Sequence, residues 1–174
     1  FSEGTTGLVV PTYVPITSIE ELNEHKEKFD QEIIGIGGGA GIHANTIKAI
    51  DAYELDYEQI TSSGPAMVAS LEKAIKDNEW VVVTGWKPHF MWATNDLKYL
   101  EDPKNVYPKD VCAIISRRGF EEDAPVAATF FKNFNLAEEE LYDLMGKIRE
   151  NGEEAGAQAF YNENKEMVNG WFNN

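Results

Sequence analysis

The sequence predicts an α/β fold: a three-layer wound sheet followed by a helical C-terminal part. Three observations carry this. Short apolar, β-branched runs alternate with segments of helical period up to about residue 80, the pattern of successive strand–helix units. The run Trp80-Val81-Val82-Val83-Thr84 is almost wholly apolar, as a strand covered on both faces must be. From about residue 120 onward the apolar residues recur at helical spacing.

The elements follow in order. Gly7-Leu8-Val9-Val10-Pro11-Thr12-Tyr13-Val14 reads as a short strand or crossover broken by Pro11. Ser18-Ile19-Glu20-Glu21 is a capping box, with Ser as the cap and Glu three residues on. It opens a helix to about Lys28, with Ile19 and Leu22 inward and His25 on a solvated, charged face. A strand over 31–36 leads into Gly37-Gly38-Gly39-Ala40-Gly41 and then a helix over 42–53, with Ile42, Thr46, Ile47 and Ile50 inward. A brief strand over 56–60 precedes a loop in which Ser63 caps a helix and Pro65 suits its first turn. Met67, Val68, Leu71, Ala74 and Ile75 mark its apolar face, and it ends before Asn78. The central strand is expected over 80–84, because Gly85 loosens the backbone and Pro88 removes a ladder donor. Residues 96–107 read as loop with a short strand at 97–100, and 111–116 as the last strand. Helices are expected from Pro125 to about Asn133, over 137–150 and, as one longer piece, over 153–171.

The 174 residues, 43% hydrophobic and 26% charged, suit a single compact domain over 1–174 with a real core. The net charge is −15, from 30 acidic and 15 basic residues, and a chain without a basic footprint is not read as a nucleic-acid binder. That acidity is a solvated surface in the plain reading, and tolerance of a cationic ligand or of high external salt in the functional one. Cys112 has no second cysteine to pair with and is expected as a buried, inert thiol. No apolar stretch approaches the roughly 18 residues of a membrane span. The chain begins at Phe1 rather than Met, as expected of a processed or cut chain that has lost an export signal.

Two segments carry candidate chemistry. Gly35-Ile36-Gly37-Gly38-Gly39-Ala40-Gly41 sits between a strand and a helix start, where free N–H groups and the positive dipole end can hold an anion. Gly35-x-Gly37-x-x-Ala40 matches the loose form of a dinucleotide fingerprint. That fingerprint needs an acid at the end of the next strand to hold ribose, whereas this one ends Ile60-Thr61-Ser62. A plain glycine turn without a ligand is the third reading. The second segment, Gly85-Trp86-Lys87-Pro88-His89-Phe90-Met91-Trp92, puts large aromatics past a strand's carboxyl end, the rim where open α/β sheets bind ligands. Alternatively, Phe90, Met91 and Trp92 begin a core-facing helix. His43 either lines the cleft or faces solvent. No spacing of His, Cys or acids suggests a metal, no nucleophile elbow is present, and neither cofactor nor catalysis is expected. An anion site beside an aromatic wall suits a zwitterion with a carboxylate and a quaternary ammonium, whose cation is attracted to the faces of Trp.

Ile34-Gly35-Ile36-Gly37-Gly38-Gly39-Ala40-Gly41-Ile42 resembles the glycine-turn segment of the glycine betaine/proline betaine substrate-binding proteins of ABC importers. Val82-Val83-Thr84-Gly85-Trp86-Lys87-Pro88-His89-Phe90-Met91-Trp92 resembles their aromatic segment. Gly7-Leu8-Val9-Val10-Pro11, Ser18-Ile19-Glu20-Glu21-Leu22 and Asp96-Leu97-Lys98-Tyr99-Leu100-Glu101-Asp102-Pro103-Lys104 are similar as well. The resemblance implies a lobe of a type II periplasmic-binding-protein-like fold, bacterial and extracytoplasmic, that serves an ABC permease. It implies that backbone N–H groups of Gly41 and Ile42 bind a betaine carboxylate and that Trp86 is one wall of an aromatic cage. Ala40, Pro88 and His89 complete the expected ligand-binding set. Gly37-Gly38 replace Asp-Pro and His43 replaces Met relative to the family pattern. The other lobe's tryptophans and histidine have no counterpart here, so the chain is expected to be one lobe, its partner upstream of residue 1. An isolated lobe of this kind is expected to self-associate.

Overall fold

The computed structural model describes residues 2–173. They divide into two compact units. The larger comprises Thr5–Lys87 and Thr94–Asp110, and the smaller is built mainly from Val111 onward, with Pro88–Ala93.

The larger unit is a mixed sheet with helices. Its strands are β1 (Ser2–Pro11), β2 (Glu32–Ile36), β3 (Glu58–Ser62), β4 (Val83–Lys87) and β5 (Leu97–Tyr99), in the order β3-β2-β4-β1-β5. β2 runs parallel to β3 and to β4, while β1 is antiparallel to β4 and β5. Helix α1 (Gly41–Ala52) connects β2 to β3, and α2 (Gly64–Asp77) connects β3 back to β4 on the far side of β2. The two crossovers step across the sheet in opposite directions, so the right-handed rule puts α1 and α2 on opposite faces. The wound βαβα arrangement of the sequence is therefore present, joined by antiparallel strands.

The 3-10 segment Ile19–Phe29 carries the expected capping box, in which the Glu21 carboxylate accepts the Ser18 N–H at 2.8 Å. Ser63 caps α2 by accepting the Ala66 N–H, and Asn78 closes it in a left-handed conformation. Met67, Val68, Leu71 and Ala74 form its buried face. On α1 the inward residues are Ile42, Thr46 and Ala49; Ile47, expected inward, is half exposed, because at 3.6 residues per turn it lies more than about 100° round the helix from the middle of that stripe. The α1 face joins Leu8, Val10, Ile33 and Val82 in the main core, with Tyr53, Leu55 and Tyr57.

Three further expectations need correction here. β4 begins at Val83 rather than Trp80 and continues through Gly85 and Trp86 to Lys87. The cause is β1, whose residues Thr5 to Val9 supply an antiparallel partner along its whole length, so Pro88 and not Gly85 ends the strand. Trp80 lies before the strand, its ring against Phe29 and His25 with centroids 5.3 and 5.4 Å away, so His25 is half-buried rather than solvated.

The smaller unit contains α4 (Phe120–Asp123), α5 (Pro125–Asn133), α6 (Glu138–Asn151), α7 (Glu153–Glu163) and α8 (Lys165–Gly170); a one-turn α3 (Met91–Thr94) begins in it. The expected long terminal helix is two, broken at Asn164. β6 covers only Asp110–Cys112 of the expected 111–116. Cys112 is half-buried rather than buried, for Val111 and Ile115 beside it are 79% and 91% exposed. The core of this unit is Leu136, Leu141, Phe160 and Trp171 with Phe130 and Phe134 around them.

Candidate functional site

The wound topology selects one place on the larger unit. The chain leaves β2 toward β3 and leaves β4 toward β5, on opposite sides. Between their carboxyl ends lies a topological switch point, where open sheets hold ligands. A cavity of ≈ 530 Å³ opens there, lined by Thr6, Ile36, Ala40, Gly41, Ile42, Asn45 and Trp86, among others.

Its two walls differ in chemistry. One is the start of α1. Gly37 and Gly38 turn the chain out of β2, the Gly37 carbonyl accepts the Ala40 N–H at 3.0 Å, and the Ala40 carbonyl accepts the His43 N–H at 3.0 Å. Ala40 is the N-cap and offers no side-chain oxygen to the N–H groups that follow it. No acid lies in the first turn either. By contrast, α2 is capped by Ser63, and α6 and α7 begin with glutamates. In a chain of net charge −15, the positive end of this helix is left open to an anion. Nothing lies within 4 Å of where side chains would project from Gly37, Gly39 and Gly41, so the approach is open.

The other wall is Trp86, half-buried on β4 opposite Thr6 of β1. Trp86 shares its strand face with Thr84 and Val82. Gly7 faces Gly85 across the pair, and the Tyr99 ring fills the space over Gly7, where a side chain would come within 3.0 Å of it. That ring lies on the opposite face; Trp86 itself is seated on a strand by its pairing with Thr6 rather than on a loose rim. The hydroxyl of Thr6, inside the cavity lining, is buried without a hydrogen-bond partner among the described residues, and so is that of Thr84 beneath it. His43 is half-buried.

The structure thus brings together four of the six expected ligand residues, Ala40, Gly41, Ile42 and Trp86. Pro88 and His89 belong to the smaller unit and are not among the residues that line this cavity. There His89 accepts the Met91 N–H at Nδ1 (3.2 Å) and stacks on Phe90, 4.3 Å between centroids. Burial, helped by the Arg149 guanidinium, holds its imidazole below the usual histidine range, so it is the neutral form that is favoured. Met91 is fully buried, as the core-facing reading of that segment requires. Sequence reasoning missed Thr6, Asn45 and Pro108. Asn45 was within reach, one helical turn beyond Gly41 and Ile42 on the same face. Pro108 had no local signal.

Among the described residues no cluster of His, Cys, Asp and Glu is placed to hold a metal ion, and no helix is long and apolar enough to cross a membrane. The acid that a dinucleotide site needs is not found at the end of β3, which closes Thr61-Ser62.

Residues 1–163 match the family described as the substrate-binding domain of ABC-type glycine betaine transport systems. The glycine betaine/carnitine transport binding protein of Listeria monocytogenes is 37% identical over 166 residues, covering 92% of this chain and 54% of its own length. The chain thus spans about half the length of that curated relative. The crystal structure of the glycine betaine, L-proline-binding protein from Borrelia burgdorferi superposes with a TM-score of 0.81 at 38% identity, over 97% of this chain and 65% of the other. The lactococcal protein solved in its closed form with glycine betaine gives 0.79 at 33%, over 97% and 67%.

Proposed function

The chain belongs to the family of substrate-binding domains of ABC-type glycine betaine transport systems, and from that premise we propose that it captures glycine betaine, or a related quaternary-ammonium zwitterion, for uptake as a compatible solute. One observation carries the reading: the uncapped, acid-free start of α1 and the ring of Trp86 line the same cavity. The N–H groups of Gly41 and Ile42 hold the carboxylate by charge-assisted hydrogen bonds. The Trp86 face holds the trimethylammonium group, which has no N–H of its own. In the closed form the remaining cage walls come from a second lobe, as the resemblance implies. Binding and release are the whole activity, with no catalytic step. The protein works outside the cytoplasmic membrane and hands its ligand to an ABC permease. Nothing on the site favours the dinucleotide reading.

The test is calorimetry on the full-length protein with glycine betaine and with choline, which keeps the quaternary ammonium and lacks the carboxylate. Each charge-assisted bond contributes about 1.5–3 kcal/mol, so glycine betaine should bind at least about tenfold more tightly. Equal affinities would remove the carboxylate from the start of α1.

A further inference from the structure

A hydrogen-bonded chain outside the cavity ends on its wall. Thr46, fully buried on α1, donates its hydroxyl to the Ile42 carbonyl one turn back (2.9 Å). The same oxygen accepts the Tyr107 hydroxyl at 3.0 Å. A threonine bonded to its own helix is common and needs no further explanation. A tyrosine from a loop 61 positions away, bonded to that same oxygen, does.

The loop that carries Tyr107 is itself held. The Asp102 carboxylate accepts the Tyr107 N–H (2.8 Å) at one oxygen and the Tyr53 hydroxyl (2.5 Å) at the other. The Tyr53 hydroxyl accepts the Lys104 N–H at 2.7 Å, and the Lys104 ammonium donates to the Ala52 carbonyl at 2.5 Å. Loop 102–107 is therefore tied to the last turn of α1 through Tyr53, Lys104 and Ala52, and to its first turns through Tyr107 and Thr46. Pro108, next in the chain, lines the cavity together with Ile42. Burial pushes the Tyr107 hydroxyl well above the usual tyrosine range, so it remains a neutral donor.

We propose that Tyr107 and Thr46 are positioning residues that set the first turn of α1, and with it the Gly41 and Ile42 N–H groups, at the angle a carboxylate requires. This rests on the function proposed above. Donors hold an anion well only when their geometry is fixed before it arrives, and a buried hydrogen-bond network fixes it. Neither side chain touches the ligand.

The experiment uses the full-length protein with Tyr107→Phe, Thr46→Val and the double variant, each measured with glycine betaine, with choline and by thermal melting. Tyr107→Phe removes one oxygen and Thr46→Val one hydroxyl. Each single change should weaken glycine betaine about fivefold and leave choline unchanged. The double variant should be no worse than the worse single one, because both interrupt one chain. A merely structural role lowers the melting temperature and weakens both ligands alike, or neither, and that pattern overturns the proposal. Amide hydrogen exchange is the second measurement: at Asn45 and Thr46, whose N–H groups close the first turn of α1 on the Gly41 and Ile42 carbonyls, it should quicken in Tyr107→Phe, and unchanged exchange also overturns it. If the unaltered protein binds glycine betaine and choline equally, the carboxylate reading itself has failed, and this proposal falls with it.

Discussion

At Trp86 the ligand's own chemistry limits what the residue can do. A quaternary ammonium has no N–H, so ring faces and shape must select it. A desolvated face contributes on the order of 0.5–2 kcal/mol, so in the full-length protein Trp86→Ala should weaken glycine betaine by roughly twofold to thirtyfold. Trp86→Phe keeps a ring with a weaker quadrupole and should fall between. Because Trp86 is half-buried and packed on the sheet opposite Thr6, a purely structural role is the competing account. That account predicts a lowered melting temperature with the affinity of the folded fraction unchanged; calorimetry and melting on the same three proteins separate the two, and any order other than Trp, Phe, Ala removes Trp86 from the site. This residue, Ala40, Gly41 and Ile42 were legible in the sequence because a glycine turn before a helix and a tryptophan near a strand's end have local signatures. Thr6 and Pro108 were not, since they reach the cavity through the β1–β4 pairing and through the Tyr107–Thr46 bond, and nothing in their neighbours in sequence announces either.

Elements defined by local rules were read well, and those set by a distant partner were not. The Ser18 box, the Ser63 cap and the stop at Asn78 each depend on a few adjacent residues. The bounds of β4 depend on β1, nearly eighty positions away, which carries the strand past Gly85 to Lys87. In the helical unit α6 and α7, consecutive in the chain, approach closely across the turn at Gly152. A methyl group on Gly156 would come within 2.5 Å of the Ile148 backbone N and Cα, and backbone cannot rotate aside as a side chain can. Gly156→Ala should therefore force the helices apart, at a cost near or above the upper end of the roughly 1–3 kcal/mol typical of overpacking. Gly146, on α6 itself, has nothing within 4 Å of its missing side chain. Gly146→Ala should instead stabilise by about 0.5–1 kcal/mol, the usual helix preference for alanine. Urea unfolding of both variants reads the contrast; Gly156→Ala proving as harmless as Gly146→Ala would show that the two helices do not meet there.

For the molecule as a whole, charge and apolar surface oppose each other. The net charge of −15 repels one copy of the chain from another. The smaller unit nevertheless exposes apolar side chains together: Val111, Ile114 and Phe131, at 79%, 44% and 43%, line one crevice of ≈ 370 Å³, with Ile115 at 91% adjoining in sequence. Exposed groups of this kind drive association when nothing covers them. Salt should decide which effect wins. Repulsion between surfaces weakens as the Debye length shrinks from about 30 Å at 0.01 M to about 3 Å at 1 M salt, while apolar attraction does not need charge. This chain, produced by itself, should therefore be monomeric at low salt and associate as salt and concentration rise. Sedimentation equilibrium across a salt series measures it, and Ile115→Asp should shift the curve toward monomer. Cys112 lines the same crevice and is half-buried, so a disulfide between copies would imitate the effect. The series is run with and without reductant for that reason: association abolished by reductant, or falling as salt rises, would mean that the apolar face is not what brings the copies together.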